Sequence, residues 1–400
     1  MDSINGTPKS DRIHIGIFGR RNAGKSSIIN AITGQSLAIV SDIKGTTTDP
    51  VQKAMELLPL GPVVIIDTPG LDDEGELGKL RIEKAYQVLR KTDIALLVAE
   101  AGAPLSADEQ ALIGEFKSRS VPYIIAYNKT DLGKSSKCGA CEICVSAKTG
   151  ENIYELKEML ARALPQHRQQ TPLIADLVSS GDIVVLVVPI DSAAPKGRLI
   201  LPQQQVIRDL LENGAITAVC QDTELTATLA GLAKPPRLVV TDSQAFKNVS
   251  RDTPSDLMLT SFSILFARYK GDLPALVKSV KTVDSLSDGD KILISEGCTH
   301  HRQCDDIGTV KIPRWLGEYT GKNLKFEFTS GTEFPQKLDG YRMIIHCGGC
   351  MLNEREMKHR IGAASAQRTP IVNYGILIAY LNGILRRSLE PFPEILKIID

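Results

Sequence analysis

Apolar runs alternate with amphipathic stretches over residues 13 to 165, the pattern of a parallel α/β sheet with crossover helices. The runs at 13–18, 63–66, 94–99 and 123–126 predict strands, and 27–32 predicts a helix. A last helix is expected over 152–164, with Thr149 near its start and Pro165 at its end. Residues 165–172, glutamine-bearing and flanked by prolines, read as a linker. The pattern then restarts. A β-branched run at 183–188, a helical 203–211 and short strands near 215–219 and 238–240 form a middle segment without any catalytic motif, which we read as a structural or self-association domain. From about residue 266 a third α/β segment follows. Its strand at 291–294 runs into Glu296-Gly297-Cys298, its strand at 342–345 into His346-Cys347-Gly348-Gly349-Cys350, and a charged helix at 353–360 comes next. The expected fold class is therefore α/β in three domains, at 1–168, 173–265 and 266–400.

Four hundred residues exceed one ordinary domain, in keeping with that division. Forty-seven basic residues balance forty-seven acidic ones, so no global field draws nucleic acid or an anionic membrane to the chain. Residues 1–12 are polar and lack the apolar core of a signal peptide. The apolar run at 183–190 is far too short to span a bilayer. The longer stretch at 371–385 is interrupted by Asn373, Gly375, Asn382 and Gly383, which suits a buried helix. A cytoplasmic location is expected. Eight cysteines then call for metal or redox chemistry rather than disulfides.

The chemistry is densest near the start. Gly19-Arg20-Arg21-Asn22-Ala23-Gly24-Lys25-Ser26 fits G-x-x-x-x-G-K-[ST], directly after a strand and before a helix that opens with Ser27. Backbone N–H groups of such a loop, Ala23 included, wrap phosphates, and the helix N-terminus adds positive potential. Lys25 is expected to reach the β- and γ-phosphates and Ser26 to ligate Mg2+. Asp67-Thr68-Pro69-Gly70 follows the next strand, where a Mg2+ and γ-phosphate sensor belongs. Asn128-Lys129-Thr130-Asp131 ends a later strand, and its carboxylate can pair with the guanine N1–H and 2-amino group. Ser146-Ala147-Lys148 completes the base pocket. A single Gly-rich loop arises by chance; four motifs in this order, each at a strand end, define a GTP/GDP site.

At this point the sequence resembles the TrmE–Era class of GTPases. Their switch loop carries Gly-Thr-Thr-Arg-Asp, and this chain has Gly45-Thr46-Thr47-Thr48-Asp49. The match implies that Thr47 contacts Mg2+ and the γ-phosphate; the arginine position is Thr48. Lys25, Thr47, Asp67 and Gly70 form the expected catalytic set. Leu71 follows the D-x-x-G motif where Ras-like GTPases place a water-orienting glutamine, so hydrolysis must rely on something else and should be slow. Asn22 matches the asparagine that helps hold K+ in the potassium-activated members, where a cation stabilises developing negative charge.

The cysteines form two groups. Cys298-Thr299-His300 and, after forty-five intervening residues, His346-Cys347-Gly348-Gly349-Cys350 lie beyond apolar strands and ahead of helical segments. Helix N-termini there would lower the thiol pKa values. C-terminal strand ends are where ligands collect in open sheets, and the paired glycines let both sulfurs turn to one centre. Three readings stand: buried structural cysteines, a tetrahedral zinc site, or a [4Fe–4S] cluster with a weaker ligand on its fourth iron. The C-x-H…H-C-x-x-C pattern behind a TrmE–Era G domain resembles the HydF family, the GTPases that mature [FeFe]-hydrogenase, and the likeness covers the whole chain. It implies a middle dimerisation domain and a C-terminal domain with a [4Fe–4S] cluster on Cys298, Cys347 and Cys350. It also implies a scaffold that receives a diiron precursor built with two radical-SAM maturases and delivers it to apo-[FeFe]-hydrogenase. Glu296, His346 and, behind them, His300 are the candidates for a fourth ligand; Cys304 also lies near.

Cys138, Cys141 and Cys144 form a C-x-x-C-x-x-C run between two base-pocket motifs, with Cys144 expected buried on a short strand. We read them as structural or incidental rather than as a second metal site. Cys220 reads as a core residue, and His14, His167 and His359 have no constellation around them. Two rival functions remain at this stage: a ribosome- or tRNA-acting GTPase with structural zinc, and a general metal-chaperone GTPase. The balanced charge and absence of an RNA motif disfavour the first, and the absence of His-rich tracts disfavours the second.

Overall fold

The computed structural model describes residues 7–34, 50–70, 76–133, 138–164, 171–190, 199–298 and 306–399. The chain divides into two compact units, Met1–Gln169 and Gln170–Asp400.

The first unit is built on six strands: β1 (Ile13–Phe18), β2 (Val51–Leu57), β3 (Gly61–Asp67), β4 (Ile94–Glu100), β5 (Tyr123–Asn128) and β6 (Glu142–Cys144). Their order is β2-β3-β1-β4-β5-β6, with β2 antiparallel to β3 and every other pair parallel. The interior strands are apolar on both faces because both faces are covered. Ile15, Ile17, Ile65 and Val98 meet Ile28 and Leu156 from the helices Lys25–Thr33 and Ile153–Ala163. Phe18, Val64, Ile66 and Leu97 meet Ala85 and Phe116 from the helices Glu76–Arg90 and Ala107–Ser118 on the other side. The chain crosses from one side of β1 to the other between β3 and β4. That reversal opens a crevice at the carboxyl ends of the strands, where the loop after β1 lies.

The second unit contains two parallel four-stranded sheets. In the first, β7 (Ile183–Val187), β8 (Ile216–Cys220), β9 (Leu238–Thr241) and β10 (Met258–Ser261) take the order β10-β9-β7-β8. In the second, β11 (Lys291–Ser295), β12 (Lys325–Thr329), β13 (Met343–His346) and β14 (Ile371–Asn373) take the order β12-β11-β13-β14. One apolar core runs through this unit, joined between the sheets by Ile264, Leu265 and Phe266 of the helix Phe262–Lys270. Together with the first unit this is the three-domain α/β architecture expected from the hydropathy pattern.

Several elements differ from the sequence reading. The stretch at 371–385 is not one helix: Ile371–Asn373 pairs as β14, and the helix Tyr374–Leu381 starts only where Asn373 Oδ1 accepts the Ile376 N–H at 2.8 Å. A β-branched pair followed by a capping asparagine favours that break. The helix expected over 152–164 is Ile153–Ala163, with Asn152 at its N-cap in the left-handed region (φ 55°). Cys144 does lie on a strand, but it is half-buried rather than buried, because β6 is an edge strand with β5 as its sheet neighbour. Cys220 is buried, in agreement with its reading as core. Residues 165–170 of the expected linker lie outside the described residues.

Candidate functional site

A cavity of about 650 Å³ opens at the carboxyl ends of the first sheet, and the predicted nucleotide motifs line it: Asn22, Gly24, Lys25, Ser26, Ser27, Asp67, Gly70, Asn128, Lys129, Asp131, Ala147 and Lys148. The loop geometry follows from local rules. Gly19 has φ 141°, and a Cβ there would run into the carbonyl oxygen of Val98, so the turn off β1 admits only glycine. Lys25, buried, donates from Nζ to the carbonyls of Gly19 and Arg20 at 2.9 Å each, which folds its ammonium back over the phosphate loop.

Asp67 closes the floor. Ser26 Oγ donates to its Oδ2 at 3.5 Å, while Oδ1 is buried without a hydrogen-bond partner. Burial raises the Asp67 carboxyl above its ordinary range, and the Lys25 charge and the Ser26 hydroxyl offset part of that. An orphaned carboxylate oxygen beside a serine hydroxyl, in a pocket open to phosphates, fits a hard divalent cation such as Mg2+. The base end is tied together by side chains. Asn128 accepts the Ala147 N–H at 3.0 Å and donates to Ala23 O at 3.1 Å, joining the base loop to the phosphate loop. Ser146 Oγ donates to Asp131 Oδ1 at 2.8 Å. Sequence reasoning missed Thr68, whose hydroxyl donates to Ile17 O at 2.7 Å and moors the D-x-x-G turn to β1, and Arg21 and Leu132, which line the cavity. Arg21 occupies a position that the motif leaves open to any residue. Thr47, Thr48 and Leu71 lie outside the described residues.

The second cluster of chemistry lies at the ends of β11 and β13, which pair in parallel with Ser295 opposite His346. That register brings Cys298 and Cys347 beyond adjacent strand ends, and Gly349 (φ 66°) turns the loop that returns Cys350. That positive φ strains any residue with a Cβ, which would also displace Met357 Sδ, 2.5 Å away, so this turn too favours glycine. Cys347 Sγ accepts the N–H groups of Gly297 at 3.0 Å and Gly349 at 3.4 Å. Its thiol is nevertheless pushed up to about 12, by burial first, with Cys298 and Cys350 adding to the rise. The expectation of a lowered thiol pKa is therefore wrong for Cys347: the next helix, Glu354–Ala366, starts too far along the chain to act on it, and burial dominates. The same interaction means that all three sulfurs lie within electrostatic reach of one another. Three thiols around backbone N–H donors are a donor set that fits an iron–sulfur cluster. Among the described residues no group of three or more His, Cys, Asp or Glu is already converged tightly enough to hold a metal ion.

The fourth-ligand candidates separate clearly. His346 is fully buried, with Nδ1 on Cys347 O at 2.7 Å and Nε2 on Arg360 Nη1 at 3.0 Å, so both ring nitrogens are engaged. Burial and the Arg360 charge lower its pKa to about 3, leaving a neutral ring that locks the backbone of the loop. Glu296 is 5% exposed and accepts the Tyr374 hydroxyl at 3.1 Å. His300 and Cys304 lie outside the described residues. Sequence reasoning missed Arg360, Tyr374 and Lys270; the last donates to Cys350 O and Leu352 O at 3.1 Å each. Each comes from a helix remote in sequence, and only Lys270, a charge at the end of the apolar run Phe262–Lys270, carried a signal in the pattern.

Comparison with known proteins agrees with this geometry. Residues 14–129 match the family model for a 50S ribosome-binding GTPase. Similar curated proteins include the tRNA modification GTPases MnmE of Legionella pneumophila strain Corby, 40% identical over 154 residues, and of Dechloromonas aromatica, 31% identical over 169 residues. The first match covers 37% of this chain and 34% of that protein, the second 41% and 37%, so the chain spans about a third of the length of these relatives. Among solved structures, a variant of Aquifex aeolicus Era bound to GDP and AlF4− is 19% identical with a TM-score of 0.33, covering 52% of this chain and 94% of that one. The first unit is a P-loop GTPase domain of the TrmE–Era class, a domain that takes GTP and GDP with Mg2+. Behind it, residues 173–271 match the hydrogen maturase F dimerization domain and residues 274–391 its tetramerization domain, together more than half of the chain. The chain belongs to the HydF family of hydrogen maturases. Its two C-terminal segments are thus domains of self-association. No helix among the described residues is long and apolar enough to cross a membrane.

Proposed function

We propose that this chain is a GTP-controlled iron–sulfur scaffold. It carries a [4Fe–4S] cluster on Cys298, Cys347 and Cys350, receives a diiron precursor made with two radical-SAM maturases, and delivers it to apo-[FeFe]-hydrogenase. One observation carries this reading: a guanine-nucleotide cavity and three cysteines at adjacent strand ends occur in a single chain with hydrogen maturase F domains. The tRNA-directed reading draws only on relatives matched over the first unit, and nothing in the second unit supports it.

The residues divide the work. Lys25 and the loop amides bind phosphates, Ser26, Asp67 and Thr47 hold Mg2+, and Asn128, Asp131, Ala147 and Lys148 select guanine. Asn22, at the cavity edge with φ 62°, is the K+ ligand. When bound, the cluster supplies an iron with an exchangeable coordination position. The N–H groups of Gly297 and Gly349 and the buried ammonium of Lys270 offset the negative charge of the thiolates that hold it. Glu296, aimed by Tyr374, is the fourth ligand best placed to yield to cargo.

Two experiments bear on this. Anaerobic reconstitution with iron and sulfide is expected to give a brown protein, and Cys298→Ala, Cys347→Ala or Cys350→Ala to abolish the colour. A colourless protein that retains stoichiometric zinc would defeat the cluster assignment. GTP hydrolysis is expected to run at least tenfold faster in potassium than in sodium buffer, a factor of about 1.4 kcal/mol in the barrier, and Asn22→Ala to remove the difference. Equal rates in the two salts would sink the K+ role.

A further inference from the structure

The C-x-x-C-x-x-C run of the first unit is not absorbed by this function. Its outer members meet: Cys138 Sγ and Cys144 Sγ stand 2.7 Å apart and share a hydrogen bond. An S–S bond of about 2.05 Å needs only a small further approach. Neither sulfur is sealed from solvent, since Cys138 is exposed and Cys144 half-buried.

The position of the pair gives it a consequence. Cys144 ends β6, and the chain continues through Val145, whose N–H donates to Tyr127 O at 2.9 Å, to Ser146 and Ala147. Those two residues grip Asp131 and Asn128 respectively. Cys138 sits on the segment that returns from Asp131 to β6. We propose that Cys138 and Cys144 are a dithiol that closes to an intramolecular disulfide by exchange with a small-molecule disulfide, and that closure slows guanine-nucleotide release by fixing the strand end that carries Ser146 and Ala147.

The exchange balances. The Cys144 thiolate attacks one sulfur of RS–SR, the S–S bond breaks, and RS− leaves and takes up the proton that Cys144 gave to solvent. Cys138 then loses its proton and attacks the Cys144 sulfur of the mixed disulfide, expelling the second RS−. Two protein thiols are oxidised and one RSSR is reduced to two RSH. Either sulfur can open the exchange, since either can be the donor of the shared hydrogen bond, and the step balances in the same way with the two roles reversed.

The test uses the full chain, prepared anaerobically and poised with oxidised or reduced glutathione. Alkylation and non-reducing peptide mapping are expected to show Cys138 and Cys144 joined after oxidation and freed by dithiothreitol. The linkage should be absent in Cys138→Ser and Cys144→Ser and retained in Cys141→Ser. Release of a fluorescent GDP analogue should slow by about threefold on oxidation of the parent chain and not in Cys144→Ser. Pairing of Cys141 with either partner, or stoichiometric zinc that Cys138→Ser removes, would overturn the disulfide. A disulfide that leaves release unchanged would overturn the coupling. The coupling rests on the guanine-site reading, whereas the mapping does not, so failure of one is distinguishable from failure of the other.

Discussion

Asp131→Asn is expected to weaken GTP binding by about a hundredfold, roughly 3 kcal/mol, and to admit xanthosine triphosphate in its place. A carboxylate accepts two hydrogen bonds from guanine, at N1–H and at the 2-amino group. An amide keeps one acceptor and turns a donor toward the 2-amino group, so one charge-assisted bond is lost and two donors face each other. Xanthine carries an oxygen at that position and restores the pairing. The loop itself should survive the change, because the Oδ1 that accepts from Ser146 Oγ at 2.8 Å has a counterpart in asparagine. The ion pair with Lys148 at 4.0 Å is of small consequence, since the lysine side chain is 82% exposed. Titration with fluorescent GDP and XDP analogues measures both arms. Unchanged GDP affinity in the variant would remove Asp131 from the base pocket.

Arg360→Met is expected to destabilise the second unit by about 3–5 kcal/mol, the effect of stranding a buried charge. Arg360 is fully buried in the helix Glu354–Ala366. Its guanidinium donates to Glu356 Oε1 at 2.9 Å, to His346 Nε2 at 3.0 Å, to Ser295 Oγ at 3.3 Å and to Gly331 O at 2.7 Å. Methionine fills comparable apolar space, yet leaves the Glu356 carboxylate buried without its partner and takes a donor from His346 Nε2 and Gly331 O, while Ser295 Oγ keeps the Thr329 hydroxyl. Replacing both members of the pair, Arg360→Met with Glu356→Leu, should recover much of the loss, because the stranded charge goes too. Denaturant midpoints of the single and double variants read the difference. A single variant within about 1 kcal/mol of the parent would mean that the network adds little. The region at stake lies under the cysteine loop, since His346 and Ser295 end the strands that lead to Cys347 and Cys298.

The nucleotide site was legible because each motif is local: a strand, a turn of fixed φ/ψ and a helix start that a few consecutive residues encode. β2 and β12 were not anticipated. Both are edge strands of mixed polarity, with only Leu57 of β2 buried and no residue of β12 buried, so neither carries the apolar run of an interior strand. The stretch at 371–385 misled for the opposite reason, since strand and helix there are both buried and apolar patterning cannot distinguish them. His346 and Glu296 looked equal in sequence, and separating them required knowing that Arg360 and Tyr374 reach the same strand ends from other elements.

By itself, then, the sequence determined the class of fold and the motifs of the GTP site, because short-range steric and chemical rules write those features into contiguous residues, whereas Cys298, Cys347 and Cys350 were singled out as cluster ligands only through a family resemblance. Only the tertiary structure decided the buried state of Cys347, the locked His346, the meeting of Cys138 with Cys144 and the core that runs through both C-terminal sheets. Each of these depends on desolvation or on contacts between residues far apart in the chain, and no local pattern encodes how deeply a group is buried or what packs against it.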